Sequence, residues 1–437
     1  MKRVITLIAI LLSATAASRA AASFKSVSDG VKPATEVLQK AIDECSAKGG
    51  GEVVVPPGKY LCKTIFLRDG VTLRLTRGAT ILGDKDLGAY AGQALVFGDG
   101  ITGAGICGEG TIDGQADFNE FKAKGYGNND KHRKYAVMFL KSKDISVRGI
   151  TIRRSARWTF RLRECEKVRI DGIIINSMEY INCDGIDVEA RDVVISNCII
   201  DSDDDSICMK SDNPDFMVEN ITITNCVLAS NSNAIKFGTS SRAGFRNVTI
   251  SNCAIRPSYK SVRRNIWTEY RNIPEGTRAC HSGIAIECVD GGLVENISIS
   301  NITMEGIVSP IFMCINRRKG KVGTLRHVSV SNVNAIAEGV LPCIISGIPE
   351  GHLSDITLSN INIVRKSWDV TMDGPVPENY KSYPECRMYG HRNPACGLYA
   401  RHVDGLNIDG LRVTTPAEEQ RPKIVLEDVT LYKPVDN

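Results

Sequence analysis

The sequence predicts an all-β fold, a single-stranded right-handed parallel β-helix with a short N-terminal capping helix. Three observations carry this prediction: a short unit that recurs with a period in the twenties, alternating aliphatic residues within each unit, and one helical segment near the N-terminus. A recurring unit of this length indicates a solenoid, in which each coil buries the hydrophobic face of its neighbours.

Each unit consists of a polar residue, alternating aliphatic positions and an Asn about five residues later, as in Asn220-Ile-Thr-Ile followed by Asn225. Leucine-rich repeats have a similar period, but they need a Leu-rich consensus and a helical segment that these units lack. β-branched residues and short Asn/Asp/Gly turns favour about three strands per coil. We expect the recurring Asn to form a ladder at a turn, where its side chain bonds backbone groups of the next coil. The units begin at Asp192, Asn220, Asn247, Asn296, His327 and Asp355.

Two inserted loops interrupt the repeat, and one helix precedes it. The step of 49 residues between Asn247 and Asn296 predicts an insertion within about 256–282, and a second is expected at about 365–396. Thr35 to Ala47 has helical periodicity and is followed by three glycines. We predict a helix here that caps the N-terminal end of the solenoid, because such ends need polar caps.

Residues 1–22 have the features of a secretory signal peptide. Lys2 and Arg3 precede an almost wholly apolar run from Val4 to Leu12, and small residues follow it. The run is too short to span a bilayer, so we expect no membrane span and a secreted or periplasmic protein. Residues 23–437 are expected to form one β-helix domain, because a solenoid extends a single core by adding coils.

The composition excludes several classes of protein. The formal net charge is +4, and no basic run is dense enough to indicate a nucleic-acid partner. Cys198, Cys226 and Cys253 each follow an Asn, and we expect them to stack inside as small apolar residues. The spacing of Cys386 and Cys396 is compatible with a disulfide. No Cys or His spacing matches a zinc site, so no metal or other cofactor is expected.

Asp203, Asp204 and Asp205 form a run of carboxylates that follows Asp184 by one turn of the repeat. Ionised carboxylates repel one another, so a chain rarely concentrates them without a use. Two or three Asp side chains on neighbouring coils suit glycosidic hydrolysis, in which one acid protonates the leaving oxygen and others activate water. A turn-forming or calcium-binding cluster is the alternative. We favour catalysis because the run lies on the strand face.

A second register runs alongside the Asn units and predicts which side chains face inward. The inward-facing set is Ile186, Ile207, Ile235, Ile284 and Ile311. The residues just before these strands are then expected to stack, and they are Asp184, Asp205, Asn233, Ser282 and Ser309. The outward-facing set, which we expect to form a polar outer face, includes Asp187, Glu189, Lys210, Lys236 and Glu287. Carboxylates flanked by lysines are typical of a polysaccharide-binding cleft.

Two motifs resemble those of glycoside hydrolase family 28, the polygalacturonase and rhamnogalacturonase family. Residues 182–185, Asn-Cys-Asp-Gly, are similar to the family's Asn-Thr-Asp-Gly, and residues 203–205 are similar to its Gly-Asp-Asp. The resemblance implies that Asp204 is the general acid and that Asp184 and Asp205 position and deprotonate the attacking water. It also implies inversion of configuration without a cofactor.

The chain departs from the family at two further motifs. The Gly-His-Gly motif falls on 232–234, which reads Ser-Asn-Ala, and the Arg-Ile-Lys motif falls on 285–287, which reads Ala-Ile-Glu. The resemblance implies that the second motif grips a galacturonate carboxylate, so here either the sugar is neutral or other cations bind it. The candidate substrate-binding residues are Asn182, Lys210, Asn233, Lys236, Arg278, His281 and Glu287. Trp267 and Tyr270, in the first insertion, are candidates for a sugar-stacking platform or for pinning the loop.

These observations together predict a glycoside hydrolase that cleaves a plant cell-wall polysaccharide, with a pectic, galacturonide-containing chain as the expected substrate and partner. One alternative is a polysaccharide lyase, which shares the fold class but needs a uronate substrate and an Arg or Lys base. The other is a non-catalytic carbohydrate-binding β-helix that kept the scaffold and lost the chemistry.

Overall fold

The computed structural model describes residues 23–86, 88, 90–116, 133–260, 277–372, 374–379, 382–390 and 392–432. The expected signal peptide at 1–22 and the candidate aromatic residues Trp267 and Tyr270 lie outside these ranges. Within them, no helix has the length and apolar character needed to cross a membrane.

The described chain is built almost entirely from strands. Helix α1 is Thr35–Ala47. In chain order the strands are β1 Asp29–Pro33, β2 Gly51–Val55, β3 Gly58–Cys62, β4 Ile65–Phe66, β5 Val71–Leu75, β6 Ala79–Gly83, β7 Ala94–Asp99, β8 Gly105–Gly108, β9 Thr111–Asp113, β10 Tyr135–Leu140, β11 Lys143–Arg148, β12 Thr151–Arg153, β13 Phe160–Asp171, β14 Ile174–Ser177, β15 Ile186–Ser196, β16 Ile199–Ser202, β17 Ile207–Ser211, β18 Val218–Thr224, β19 Val227–Ser230, β20 Asn233–Ser241, β21 Gly244–Pro257, β22 Cys280–Cys288, β23 Leu293–Ile315, β24 Thr324–Ala337, β25 Cys343–Ser346, β26 Leu353–Arg365, β27 Leu398–Thr414 and β28 Ile424–Leu431.

The strands pair in parallel with the coil before and the coil after, in three columns that we call ladders A, B and C. Ladder A runs from β1 through β3, β6, β9, β12, β14, β16 and β19 to the last residues of β21. Ladder B runs from β2 through β5, β8, β11, the second half of β13 and of β15, β18, β21, β23, β24, β26 and β27 to β28. Ladder C runs through β4, β7, β10, the first half of β13 and of β15, β17, β20 and β22 to the last residues of β23. The predicted all-β, sheet-dominated architecture is confirmed.

The core is a stack of aliphatic side chains, one from each coil. In ladder C, Ile186 pairs with Ile207, Ile207 with Ile235, Ile235 with Ile284, and Ile284 with Ile311. All five are fully buried. Because successive side chains of a strand point to opposite faces, this register directs every second residue of ladder C into the interior of the coils and the intervening residues away from it. The predicted inward-facing set is confirmed.

Helix α1 has the predicted bounds and covers the N-terminal end of the coils. Leu38 and Ile42 are fully buried against the first strands. The side-chain amide of Gln39 donates to the carbonyl of Phe66 (3.0 Å) and accepts from its backbone N–H (2.8 Å). It therefore takes the place of a neighbouring strand at the edge of β4, which would otherwise expose unpaired backbone groups.

The recurring Asn residues form a ladder, but through different bonds from those predicted. Asn301 Nδ2 donates to Asn252 Oδ1 (3.1 Å), Asn332 Nδ2 to Asn301 Oδ1 (3.1 Å) and Asn360 Nδ2 to Asn332 Oδ1 (2.8 Å). The prediction of side-chain-to-backbone bonds is wrong, because stacked amides carry complementary donors and acceptors and satisfy one another. Each of these residues has a φ between 51° and 57°, the left-handed conformation that Asn tolerates at turns.

Both predicted insertions are present. The first separates the end of β21 at Pro257 from Cys280, and the second separates Arg365 from Leu398. Cys198, Cys226 and Cys253 are buried as predicted. Cys386 and Cys396 are not joined by a disulfide, so the disulfide prediction is wrong. Each thiol instead donates to a carbonyl oxygen, that of His281 (3.7 Å) and that of Arg421 (3.6 Å) respectively.

The Asn ladder generates a prediction for Asn332. Asn332→Ala loses two side-chain bonds and keeps a Cβ in a left-handed turn without the polar side chain that lets Asn tolerate this conformation, so it should lower the free energy of unfolding by about 2–3 kcal/mol. Asn332→Gly loses the bonds but tolerates the backbone, and should cost about 1–2 kcal/mol. Chemical denaturation measures both. Equal stability of the two variants and the wild type would contradict the ladder's role.

Candidate active site

The polar residues at the start of the ladder C strands stack in successive coils. Asn233 pairs with Ser282, and Ser282 with Ser309. The pairing of Ile186 with Ile207 and of Ile207 with Ile235 brings Asp184, Asp205 and Asn233 to corresponding positions. The predicted stack is therefore present, and it concentrates polar side chains where the chain passes from ladder A into ladder C.

Asp184 and Asp205 lie close together across one coil spacing. Their carboxylate oxygens and the Cys208 sulfur lie within 4.8 Å of one another. Gly185 allows this approach, because a Cβ at that position would meet the Ser206 carbonyl oxygen at 2.3 Å. The Gly185 N–H donates to the Asp205 carbonyl (2.8 Å), which fixes the two turns against each other. Both Asp residues are only 2% exposed.

Lys210 holds the first carboxylate. Its ammonium lies 3.2 Å from Asp184 Oδ2 and 3.4 Å from Asp187 Oδ1. Burial and the neighbouring Asp187 carboxylate raise the pKa of Asp184 well above its ordinary value. Burial opposes the charge of Lys210, but the surrounding acidic groups nonetheless raise its pKa well above the usual range. Asp184 and Asp187 thus share one cation, a situation that favours retention of a proton by the carboxylate pair.

Lys236 holds the second carboxylate in the same way. Its ammonium lies 3.5 Å from Asp205 Oδ2 and 3.5 Å from Glu287 Oε1. Asn233 donates to Asp205 Oδ1 from its backbone (3.1 Å) and from its side chain (2.8 Å). Burial raises the pKa of Glu287 to about 7, although Lys236 opposes the shift. Lys236 therefore lies between a carboxylate of the preceding coil and one of the following coil.

Two aromatic rings that the sequence did not point to cover the lysines. The Lys210 ammonium lies 4.6 Å from the centre of the Trp158 ring, and the Lys236 ammonium lies 5.5 Å from that of Tyr383. The Tyr383 hydroxyl bonds to the Thr239 hydroxyl (2.7 Å). Tyr383 belongs to the second insertion, 144 residues from Thr239, so no local pattern could place it here. A ring over an ammonium group stabilises the positive charge.

The carboxylates that precede Asp205 have separate surroundings. Asp204 is half-buried, whereas Asp203 and Asp205 are buried. Asp203 accepts a bond from Asn231 (3.0 Å), and Asp201 accepts one from Arg256 (3.0 Å). Asp201 and Asp203 bind different side chains and do not converge on one position, so this segment does not resemble a calcium-binding loop. Asp204 is the most accessible carboxylate beside the Asp184–Asp205 pair.

Three predicted binding residues lie outside this charged cluster. Asn182 is exposed at the turn before Asp184, in a left-handed conformation with φ 55°. Arg278 is exposed and donates to the Ser258 carbonyl (3.0 Å) at the base of the first insertion. His281 is 1% exposed in ladder C, with Nδ1 3.6 Å from Glu385. Asn233, Lys210, Lys236 and Glu287 are brought together.

The prediction of a polar outer face is wrong in one respect, since its side chains are almost entirely buried. Asp187, Glu189 and Glu287 are fully buried, and the two lysines are less than 10% exposed. Glu189 bonds to the buried guanidinium of Arg161 (2.9 Å) and accepts two backbone N–H groups. Period-two alternation gives the direction of a side chain relative to the coil, whereas its burial depends on what the neighbouring coils and insertions place over it.

This arrangement has the groups needed to hold a water molecule between the Asp184 and Asp205 carboxylates and to deliver a proton from Asp204. The set Asp184, Asp205 and Cys208 also has the ligand spacing of a cation site. However, the ammonium groups of Lys210 and Lys236 already lie within 3.5 Å of these two carboxylates. A divalent cation would have to displace them, so the donor set fits lysine better than metal.

Comparison with known proteins decides the family. Residues 45–372 match the model of glycosyl hydrolases family 28. The chain belongs to this family. The resemblance predicted from residues 182–185 and 203–205 is confirmed, and both segments lie within the matched region.

The relatives agree with this assignment. The chain is 30% identical over 225 residues to a Vitis vinifera protein named "Probable polygalacturonase", in a match that covers 46% of this chain and 45% of that protein. The chain thus spans less than half of that relative's length. An exopolygalacturonase from Thermotoga maritima superposes with a TM-score of 0.66 at 21% identity, covering 88% of this chain and 90% of that one. The family 28 exopolygalacturonase of Yersinia enterocolitica gives 0.67 at 17% identity, covering 94% and 77%. At these sequence identities, the two superpositions show that the fold is shared.

The raised pKa of Glu287 generates a prediction about stability. Its pKa is about 7 in the folded protein against an ordinary 4.5. The protonated carboxyl therefore contributes stability below about pH 4.5, and this contribution is lost as the pH rises through about 7. Glu287→Gln removes the dependence, so the wild type should lose up to about 3 kcal/mol relative to the variant across this window.

Chemical denaturation of both proteins at a series of pH values measures this difference. Glu305→Gln, at an exposed position, is the control and should follow the wild-type profile. A constant difference between wild type and Glu287→Gln from about pH 4 to 8 would contradict the assignment.

Proposed function

We propose that the protein is an exported, inverting glycoside hydrolase of pectic, galacturonide-containing polysaccharide, built on a right-handed parallel β-helix. One observation carries the proposal: the Asp184 and Asp205 carboxylates lie within 4.8 Å of each other, beside the half-buried Asp204, at the positions of the family's two acidic motifs. The family assignment and the polygalacturonase name of the grapevine relative support the substrate class.

The reaction divides the work among the three carboxyl groups. Asp204 gives its proton to the glycosidic oxygen, and the electrons of the breaking carbon–oxygen bond go to that oxygen. A water molecule held between Asp184 and Asp205 attacks the anomeric carbon from the opposite face and gives its proton to this pair. Asp184 suits the role of acceptor, because its raised pKa favours binding of a proton. Exchange with solvent then restores the starting protonation states.

Lys236 replaces the missing cation of the substrate-binding motif. Glu287 stands where the family motif has Lys, and the ammonium of Lys236 lies 3.5 Å from Glu287, on the adjacent coil. The positive charge has thus moved by one coil, and Glu287 holds it beside Asp205. Tyr383 covers this ammonium, so binding of a galacturonate carboxylate requires the exposed ring to turn aside.

The two alternatives are less well supported. A lyase needs an unprotonated Lys or Arg base, whereas the carboxylates around Lys210 and Lys236 raise the pKa of each ammonium well above its ordinary value. A binding module without catalysis has no need to hold two carboxylates close together in a buried position, where their mutual repulsion is costly. Export rests on the composition of residues 1–22 alone.

The catalytic role of Asp204 is tested with a matched pair of variants. Asp204→Asn should lower kcat by about 100- to 10,000-fold on polygalacturonate, because it removes the general acid. Asp203→Asn makes the same chemical change one residue away and should retain most activity. Reducing-sugar release with ultraviolet detection of unsaturated products is the measurement. Equal loss in both variants, or unsaturated product from the wild type, would contradict the mechanism.

The role of Lys236 is tested by the charge of the substrate. Lys236→Gln should lower the preference for oligogalacturonate over its methyl ester, measured as the ratio of kcat/KM values, by about 10- to 100-fold, because it removes a charge-assisted bond. Lys210→Gln should lower activity on both substrates alike, since Lys210 contacts Asp184. An unchanged ratio in Lys236→Gln would show that the substrate carboxylate binds elsewhere.

A further inference from the structure

A second group of ionisable side chains lies in ladder B, far along the chain from the acidic motifs. His352 directly precedes β26, His402 lies in β27 and Asp428 in β28. The register pairs Leu353 with Val403 and Val403 with Val429, so the three residues occupy corresponding positions in three successive coils. We call His352, His402 and Asp428 the terminal histidine cluster.

Each imidazole of this cluster has one nitrogen directed at a separate carboxylate. His352 Nδ1 lies 3.2 Å from Asp404 Oδ1, and His402 Nε2 lies 3.2 Å from Glu378 Oε1. Glu378 comes from the second insertion and also pairs with Arg401 (3.3 Å). Such contacts fix the orientation and the tautomer of a histidine ring.

The other nitrogen of each ring is directed at one shared atom. His352 Nε2 lies 3.3 Å from Asp428 Oδ2, and His402 Nδ1 lies 2.6 Å from the same oxygen. When each ring donates its N–H to the separate carboxylate, the lone pair of its other nitrogen faces Asp428 Oδ2, and a metal ion placed between the three atoms would bind all of them. In the absence of a metal, a proton on the imidazole makes the same link as a hydrogen bond.

We propose that the terminal histidine cluster binds a divalent transition-metal ion, for which Zn²⁺ is the best match. Two imidazole nitrogens and one carboxylate oxygen, all within 4.8 Å of one another, form a set that zinc uses with water in the remaining position. In a tetrahedral site, ligand atoms about 2 Å from the metal lie roughly 3.3 Å apart. His352 Nε2 and Asp428 Oδ2 already have this separation, whereas His402 Nδ1 and Asp428 Oδ2, 2.6 Å apart, would have to move apart when the ion binds. Asp404 and Glu378 supply the outer carboxylates that accompany metal-bound histidines.

A bound ion would link the last described coils. β28 is exposed or half-buried along its length, and among the described strands it pairs with β27. One ion held by His352, His402 and Asp428 would connect the chain before β26 to β27 and β28, and Glu378 would extend the connection to the second insertion. The predicted absence of a metal site came from sequence spacing, and separations of 50 and 26 residues resemble no local zinc motif.

An ordinary histidine pair in the same ladder provides the control. His327 Nδ1 lies 2.5 Å from Asp355 Oδ2, with both side chains exposed. This pair consists of one imidazole and one carboxylate, whereas the terminal histidine cluster adds a second ring and two orienting carboxylates. His327→Ala should therefore leave metal binding unchanged.

Calorimetric titration of the chelator-treated full chain with Zn²⁺ tests the proposal. The wild type and His327→Ala should bind one equivalent, and His402→Ala and His352→Ala should lose this binding. Asp404→Asn, which changes only an orienting group, should weaken it by about 10- to 100-fold. Thermal unfolding should show a Zn²⁺-dependent rise in Tm for the wild type and for His327→Ala but not for His352→Ala. His352 is 26% exposed, so its variant tests binding even if His402→Ala does not fold.

Co²⁺ substitution identifies the ligands. A visible ligand-field band without thiolate charge transfer in the near ultraviolet is the expected spectrum for nitrogen and oxygen donors. Three results would overturn the proposal: no saturable Zn²⁺ binding by the wild type, binding that His352→Ala leaves intact, or a thiolate band that places the ion on a cysteine.

Discussion

Parallel pairing between successive coils fixes the position of each side chain in three ladders at once. A shift of one residue between two coils would reverse which side chains face the core. The fully buried isoleucines of ladder C and the left-handed Asn turns of the neighbouring ladder therefore have to agree in register. The side-chain bonds from Asn252 through Asn360 connect the turns and hold this register outside the hydrophobic core.

The site is a consequence of the same register. Asp184, Asp205 and Asn233 come together because each precedes a ladder C strand in its own coil. Lys210 lies three residues after Ile207 and Lys236 one residue after Ile235, so both lie on the face opposite the core isoleucines, where they reach these carboxylates. Burial of so many charges is costly unless each has a partner. Here each ammonium lies within 3.5 Å of two carboxylates. The excess of carboxyl groups over lysines then favours retention of protons, which acid–base chemistry can use.

Features that repeat from coil to coil could be predicted from the sequence, whereas features that depend on a single contact between distant residues could not. Period-two alternation identified Ile186 and its equivalents, and the coil period identified the stack of Asp184 above Asp205. The burial of Asp187 and Glu189 was missed because it depends on Arg161 and Lys210 in other coils. Tyr383 was missed because an insertion delivers it across 144 residues of chain. The Asn ladder was predicted, but its partners were wrong, since the pattern specifies stacking and not which atoms meet.

We propose that Asp184 and Asp205 direct water to the face of the sugar opposite the acid Asp204. Proton NMR of the reducing end formed in the first moments of oligogalacturonate cleavage tests it most directly. The arrangement predicts a product whose anomeric configuration is opposite to that of the cleaved linkage, with mutarotation following later. A product that keeps the original configuration would contradict the claim, because it would require a covalent intermediate on one of these carboxylates.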